Sequence, residues 1–205
     1  MGILRTISCP ADLKGLSTVE LETLAREVRD FIITTVSRTG GHLASSLGTV
    51  ELTIALHRVF NAPRDKIVWD VGHQAYTHKI LTGRRDLFPT LRQHGGLCPF
   101  ISPAESPYDA FISGHTGNAL PAASGICETM SKAESPSRVV AVIGDGSLSN
   151  GLTFEGLNFA GMRKQNLIVV LNDNTMFISK RVGACLLYTS PSPRDRTRSR
   201  MPSSA

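Results

Sequence analysis

Two apolar runs in this 205-residue chain end in residues able to grip a cation. The run 139–143 leads into Gly144-Asp145-Gly146-Ser147, and the run 167–171 leads into Asn172-Asp173-Asn174. Asn174 follows Asp145 by 29 positions, with a helix-like stretch at 153–162 between them. If the two runs are neighbouring strands, a carboxylate and an amide oxygen converge above the sheet. With a nearby backbone carbonyl they form an all-oxygen set, which suits Mg²⁺ completed by phosphate oxygens and water. The glycines around Asp145 leave room for a ligand to approach the backbone. A helix beginning near Gly151 can offer N–H groups to the same phosphates. The pair reads as a metal–diphosphate anchor. Alone, Gly-Asp-Gly would be a turn and Asn-Asp-Asn a strand-end cap.

The elements that must position these groups are legible in outline. Ser17-Thr18-Val19-Glu20 has the form of a capping box, and Leu21, Leu24, Ala25, Val28, Phe31 and Ile32 follow at helical spacing. This predicts an amphipathic helix ending before Gly40-Gly41, and 49–59 predicts a second. Runs at 66–69, 109–112, 139–143 and 167–171 do not alternate cleanly, so each reads as a strand buried on both faces. Helix-like stretches at 77–82, 118–131 and 153–162 separate several of them. Strands alternating with helices predict an α/β fold, a parallel sheet flanked by helices. Such sheets bind ligands at the carboxyl ends of their strands. Residues 83–108 are a long irregular connection, of the kind that is often functional.

Composition removes several alternatives. No apolar run approaches the roughly 18 residues of a membrane span. The amino terminus lacks a signal-peptide core, and Gly2 with Thr6 is a weak match to a lipidation motif. Cys9, Cys98, Cys127 and Cys185 are too scattered for a zinc site or a disulfide framework, which fits a reducing, cytoplasmic setting. The net charge of +5 is concentrated in 188–205, which carries +3 of it. A basic tail of that kind is poor evidence for a nucleic-acid surface on the domain.

Further blocks narrow the reading. Ser37-Arg38-Thr39-Gly40-Gly41-His42 is followed by small residues and Gly48-Thr49-Val50-Glu51. Ile67-Val68-Trp69-Asp70-Val71-Gly72-His73-Gln74-Ala75-Tyr76 precedes His78-Lys79-Ile80-Leu81-Thr82-Gly83-Arg84-Arg85, and Ser113-Gly114-His115-Thr116-Gly117 comes later. With Gly-Asp-Gly and Asn-Asp-Asn, these blocks resemble the 1-deoxy-D-xylulose-5-phosphate synthases of the transketolase superfamily over about 12–184. The resemblance implies the thiamine-diphosphate-binding version of the α/β fold, here incomplete. It implies thiamine diphosphate and Mg²⁺ as cofactors, with pyruvate and glyceraldehyde 3-phosphate condensed, with loss of CO2, to 1-deoxy-D-xylulose 5-phosphate. Asp145, Asn174 and the carbonyl of Met176 would hold the metal. Gly146, Ser147 and Asn174 would meet the diphosphate, and His73, Gly114, His115 and Thr116 would line the cofactor pocket. His42 would face the substrate and assist proton transfer. Ser46 stands where the family often has Gly, and Thr116 where Ser is common. His57, His78 and His94 take no assigned role, and Arg84-Arg85 reads as a solvated pair or a structural clamp.

The expected organisation is a diphosphate- and Mg²⁺-binding domain over 1–184, followed by a basic Ser/Pro/Arg tail over 185–205 that reads as disordered and non-native. The glutamate that activates the pyrimidine ring belongs, in the family, to a second domain that this sequence stops short of. These residues alone are therefore expected to lack turnover, and the intact protein to be a cytoplasmic homodimer without nucleic-acid or membrane partners. Two other readings compete: the amino-terminal subunit of a split transketolase-like enzyme, and a non-catalytic module binding RNA or DNA through its arginine tail.

Overall fold

The computed structural model describes residues 2–131 and 137–173. The expectations for Asn174, Met176 and the tail 185–205 lie outside the described residues. Helix α1 (Thr18–Thr39) opens on the predicted capping box: the Ser17 N–H donates to Glu20 Oε2 at 2.8 Å and the Glu20 N–H to Ser17 Oγ at 3.4 Å. It closes at Gly40, whose φ of +72° is one that side chains resist. A short helix α2 (Leu43–Leu47) and α3 (Val50–Val59) follow, then strand β1 (Lys66–Trp69) and helix α4 (Tyr76–Lys79). After α4 the turn Ile80–Arg84 kinks at Thr82 and at Gly83, whose φ is +87°. The remaining elements are α5 (Ala119–Met130), β2 (Val139–Gly144), α6 (Asp145–Leu148), α7 (Gly151–Met162) and β3 (Leu167–Asn172).

The three strands form a parallel sheet in the order β1-β2-β3. Their alternate side chains feed two layers. On one face Ile67, Trp69, Val140 and Val142 pack with Leu56 of α3, with Phe60 just after it and with Ile101. On the other, Val68, Val139, Ala141 and Ile143 pack with Ala119, Leu120 and Ala123 of α5. A third cluster joins α1 to α3 and to the stretch from Tyr76 to Leu97. Burying apolar side chains in these layers stabilises the fold by roughly 1.5–3 kcal/mol for each large one.

Two expectations need correction. Residues 109–112 are not a strand. The Asp109 carboxylate is drawn into an ion pair with Arg84 and accepts a hydrogen bond from His78, and Phe111 packs against the α5 layer from an irregular backbone. Strand β3 is not buried on both faces either. Among the described residues it pairs with β2 alone, so Val169 and Leu171 stay 37% and 40% exposed while central β2 is buried along its length.

Candidate functional site

The site gathers at the carboxyl ends of the strands. Asp145 is the first residue of α6, directly after β2, and is buried. One of its oxygens accepts the Gly146 N–H at 2.9 Å. The parallel register pairs Gly144 with Asn172, which brings the end of β3 beside Asp145. The sequence places the phosphate-facing helix at Gly151. The structure inserts α6 first, and the Leu152 N–H at the start of α7 is taken by the Asn150 side chain at 3.0 Å. Among the described residues no three His, Cys, Asp or Glu side chains converge as a metal cluster. A cation here would draw on Asp145 and on oxygens such as those expected from Asn174 and Met176.

Gly114, His115 and Thr116 arrive from a loop that a second acid pins down. Asp70, at the end of β1, is buried, and both its oxygens accept the Gly117 N–H at 3.0 Å. Burial pushes its pKa up, while the backbone N–H bonds pull the other way. Gly117 has a φ of +87°, and a Cβ there would lie 2.4 Å from Asn150, so the loop closes tightly on α7's cap. The result is direct contact between two predicted residues: Thr116 Oγ1 lies 2.7 Å from Ser147 Oγ. His115 is exposed, and its Nδ1 is 3.3 Å from the Thr116 carbonyl. Among the described residues Gly114 has no atom within 4 Å of a notional Cβ, so they leave the space above it open. Sequence reasoning missed Asp70. The signal was available, because an acid ends the apolar run KIVW just as Asp145 ends its own.

His42 and His73 form the other half. Their ring centroids are 5.3 Å apart, edge to face, and the Phe100 ring is 6.2 Å from His42. Gly41 explains the aim of His42: its φ is +147°, and a Cβ would lie 2.7 Å from the Tyr76 hydroxyl, which accepts the His42 N–H at 3.2 Å. His73 is anchored through its carbonyl, which accepts from Ser46 Oγ at 2.7 Å. Burial, and after it the neighbouring His42, lower the pKa of His73, which favours a neutral ring. Its Nδ1 is buried without a hydrogen-bond partner among the described residues. Just before it, Val71 holds a φ of +60°, a strained value for a β-branched residue. Ser113 secures that strain by accepting the Val71 N–H on Oγ at 3.0 Å and the Gly72 N–H on its carbonyl at 2.9 Å.

The two halves are thus tied by the Asp70–His73 turn and the 113–117 loop. A partnerless imidazole nitrogen, open space over Gly114 and a carboxylate at a strand end fit an anionic cofactor with its metal. The Arg84-Arg85 question resolves as a clamp: Arg84 grips both oxygens of Asp109 at 2.7 Å, and Arg85 caps the carbonyls of Leu4, Arg5 and Ile7. A polar cavity of about 310 Å³ opens at the opposite, amino end of the sheet, beside Asn61, Arg64, Asp65 and Arg138, and holds none of the predicted residues. Among the described residues no helix is long and apolar enough to cross a membrane.

A sequence model of the family described as 1-deoxy-D-xylulose-5-phosphate synthase matches residues 4–203. The 1-deoxy-D-xylulose-5-phosphate synthase of Syntrophus aciditrophicus is 56% identical over 187 residues, 91% of this chain and 29% of the relative. That of Syntrophotalea carbinolica is 60% identical over 184 residues, 90% of this chain and 29% of the relative. The synthase 2 of Geobacter sulfurreducens is 58% identical over 188 residues, 92% and 30% respectively. The chain therefore spans about 30% of the length of these curated relatives. The family match runs into the segment that composition sets apart at 185.

Proposed function

The chain belongs to the 1-deoxy-D-xylulose-5-phosphate synthase family, and from that premise we propose that it is the diphosphate- and Mg²⁺-holding part of a thiamine-diphosphate-dependent transferase. The whole protein would condense pyruvate with glyceraldehyde 3-phosphate, releasing CO2, to give 1-deoxy-D-xylulose 5-phosphate. When bound, thiamine diphosphate supplies the electron sink that decarboxylation requires. This chain's residues bind, orient and handle protons. Asp145 would contribute carboxylate oxygen to Mg²⁺, joined by Asn174 and the main-chain carbonyl of Met176. Ser147 and Thr116 offer adjoining hydroxyls, and Gly146 and Gly114 offer open backbone, to the diphosphate side. His73 presents its partnerless Nδ1 to the pocket with His115 at the rim. His42, exposed and held by Tyr76, is placed to give or take a proton at the substrate, a role suited to an imidazole near neutral pH.

The observation that carries the reading is the Thr116–Ser147 contact, which joins two separately predicted motifs at the strand ends beside buried Asp145. The domain boundary at 184 and a dimeric, cytosolic whole protein belong to the same proposal. The free thiols of Cys9, Cys98 and Cys127 support a reducing setting. The exposed apolar side chains of Leu152, Met162, Val169 and Leu171 support a surface covered by further polypeptide. Calorimetric titration with thiamine diphosphate, with and without Mg²⁺, tests the site. Binding should require the metal, and Asp145→Ala should abolish it; the same affinity in that variant would overturn the anchor.

A further inference from the structure

A second cluster of buried charge lies beside this site. His78 and Lys79 are fully buried, and Asp109 and Arg84 nearly so. His57 Nε2 is 2.9 Å from His78 Nδ1, and His78 Nε2 is 3.1 Å from Asp109 Oδ1. Arg84 holds both Asp109 oxygens and reaches Glu105 at 3.3 Å, while Lys79 donates to Glu105 at 2.5 Å. The carboxylate orders the protons. Asp109 can only accept, so His78 carries its proton on Nε2 and accepts on Nδ1 from the His57 Nε2–H. That leaves His57 Nδ1 as a bare acceptor, and it is buried without a partner among the described residues. A stranded acceptor is tolerated better than a stranded N–H.

So many buried charges add little to stability that apolar packing would not match. Their contacts show what they specify instead. Both carboxylates turn back onto their own segment: Glu105 accepts the Cys98 N–H at 2.5 Å, and Asp109 accepts the Ser102 N–H at 2.9 Å. Between those two amides lie Phe100 and Ile101. The Ile101 nitrogen and Phe100 Cα would be 2.6 and 3.0 Å from a Cβ on Gly72, so this backbone presses directly on the turn that carries His73. The Phe100 ring faces His42.

We propose that Asp109, Glu105 and Arg84 are positioning residues: the network suspends the 98–102 segment against Gly72-His73 and His42 and thereby sets one wall of the pocket. The use of that pocket for thiamine diphosphate rests on the reading above; the suspension rests on the contacts alone.

The test uses the whole chain, isotope-labelled, as wild type, Asp109→Asn and the milder Glu105→Gln. Amide exchange at Cys98 and Ser102 is compared with that at Val140 and Val142 in β2. The nuclear Overhauser contact between His42 and Phe100 is followed, and thiamine diphosphate affinity with Mg²⁺ is measured by calorimetry. Removing the charged acceptor should speed exchange at Ser102 by about tenfold or more relative to β2, weaken the His42–Phe100 contact and lower the affinity. Equal acceleration throughout, with the His42–Phe100 contact intact, would mean a merely structural network and overturn the proposal. If Asp109→Asn does not fold, Glu105→Gln decides through the Cys98 amide and the same ring contact. Loss of the ring contact at unchanged affinity would overturn the wall's part in the pocket. A wild type that binds no thiamine diphosphate would sink the cofactor reading, while exchange and ring contact still decide the positioning.

Discussion

Acidification should destabilise this domain through its buried histidines. His57 and His78 are both 0% exposed. Burial lowers the pKa of each, for His57 well below the ordinary value; charge on His78 adds to this at His57, while Asp109 partly opposes it at His78. Folded pKa values below the unfolded value of about 6.5 mean that the unfolded chain binds protons first as pH falls. Stability is therefore complete above about pH 6.5 and declines below it. At pH 5.5 each histidine that stays neutral in the fold costs about 1.4 kcal/mol, so the pair costs up to about 2.8 kcal/mol. For a domain of this size that lowers Tm by roughly 3–10 °C. His73 acts in the same direction. Asp109 stays ionised across this window: burial pushes its pKa up, but hydrogen bonds from His78 and Arg84 prevail and hold it far below the carboxylate range. Asp70, whose pKa is raised, has the opposite sign and regains stability only toward acid. Urea unfolding at pH 7.5 and 5.5, read by the single tryptophan, is the assay; Trp69 is buried and packs edge-on against His78 at 5.7 Å. His57→Gln keeps a donor toward His78 and should remove about half of the pH effect. Equal midpoints at the two pH values, or a His57→Gln variant with the full effect, would refute the reasoning.

Three substitutions probe other contacts. Gly72→Ala places a methyl 2.6 Å from the Ile101 nitrogen and should cost about 1–3 kcal/mol in urea unfolding, with thiamine diphosphate binding weakened in calorimetry. Arg84→Met leaves Asp109 buried without its guanidinium partner and should cost about 3–5 kcal/mol; a change below 1 kcal/mol in the same assay would show that His78 suffices. Ser46→Gly deletes the 2.7 Å bond to the His73 carbonyl. It should lower stability by about 1 kcal/mol and loosen the His42–His73 ring contact seen by nuclear Overhauser measurements.

What the sequence revealed depended on how local the physics was. Runs of Val and Ile at 66–69, 139–143 and 167–171 read correctly as strands from their β-branched residues, although 167–171 is not covered on both faces as its pattern predicted. The same rule failed at 109–112. There the run opens with an acid whose partners, Arg84 and His78, lie 25 and 31 residues away, and no local pattern announces those contacts. Ser17 announced α1 because its cap is satisfied within four residues. The packing of four histidines, in contrast, was hidden in the sequence. His57 and His78 proved to be buried members of one hydrogen-bonded chain, whereas His42 and His73 met edge to face only because Gly41 passes the Tyr76 hydroxyl. The motif spacing located the strand ends, and with them Asp145 and Ser147. It could not show that the loop bearing Thr116 is fastened to β1 by Asp70, since that contact spans 47 residues. Nor could it show that the wall facing His42 hangs from Asp109 and Glu105. Both devices place charged groups where apolar residues would have packed as well. That choice ties the turn after β1 to the 98–102 and 113–117 segments, and it is the strongest reason to read their convergence as a site.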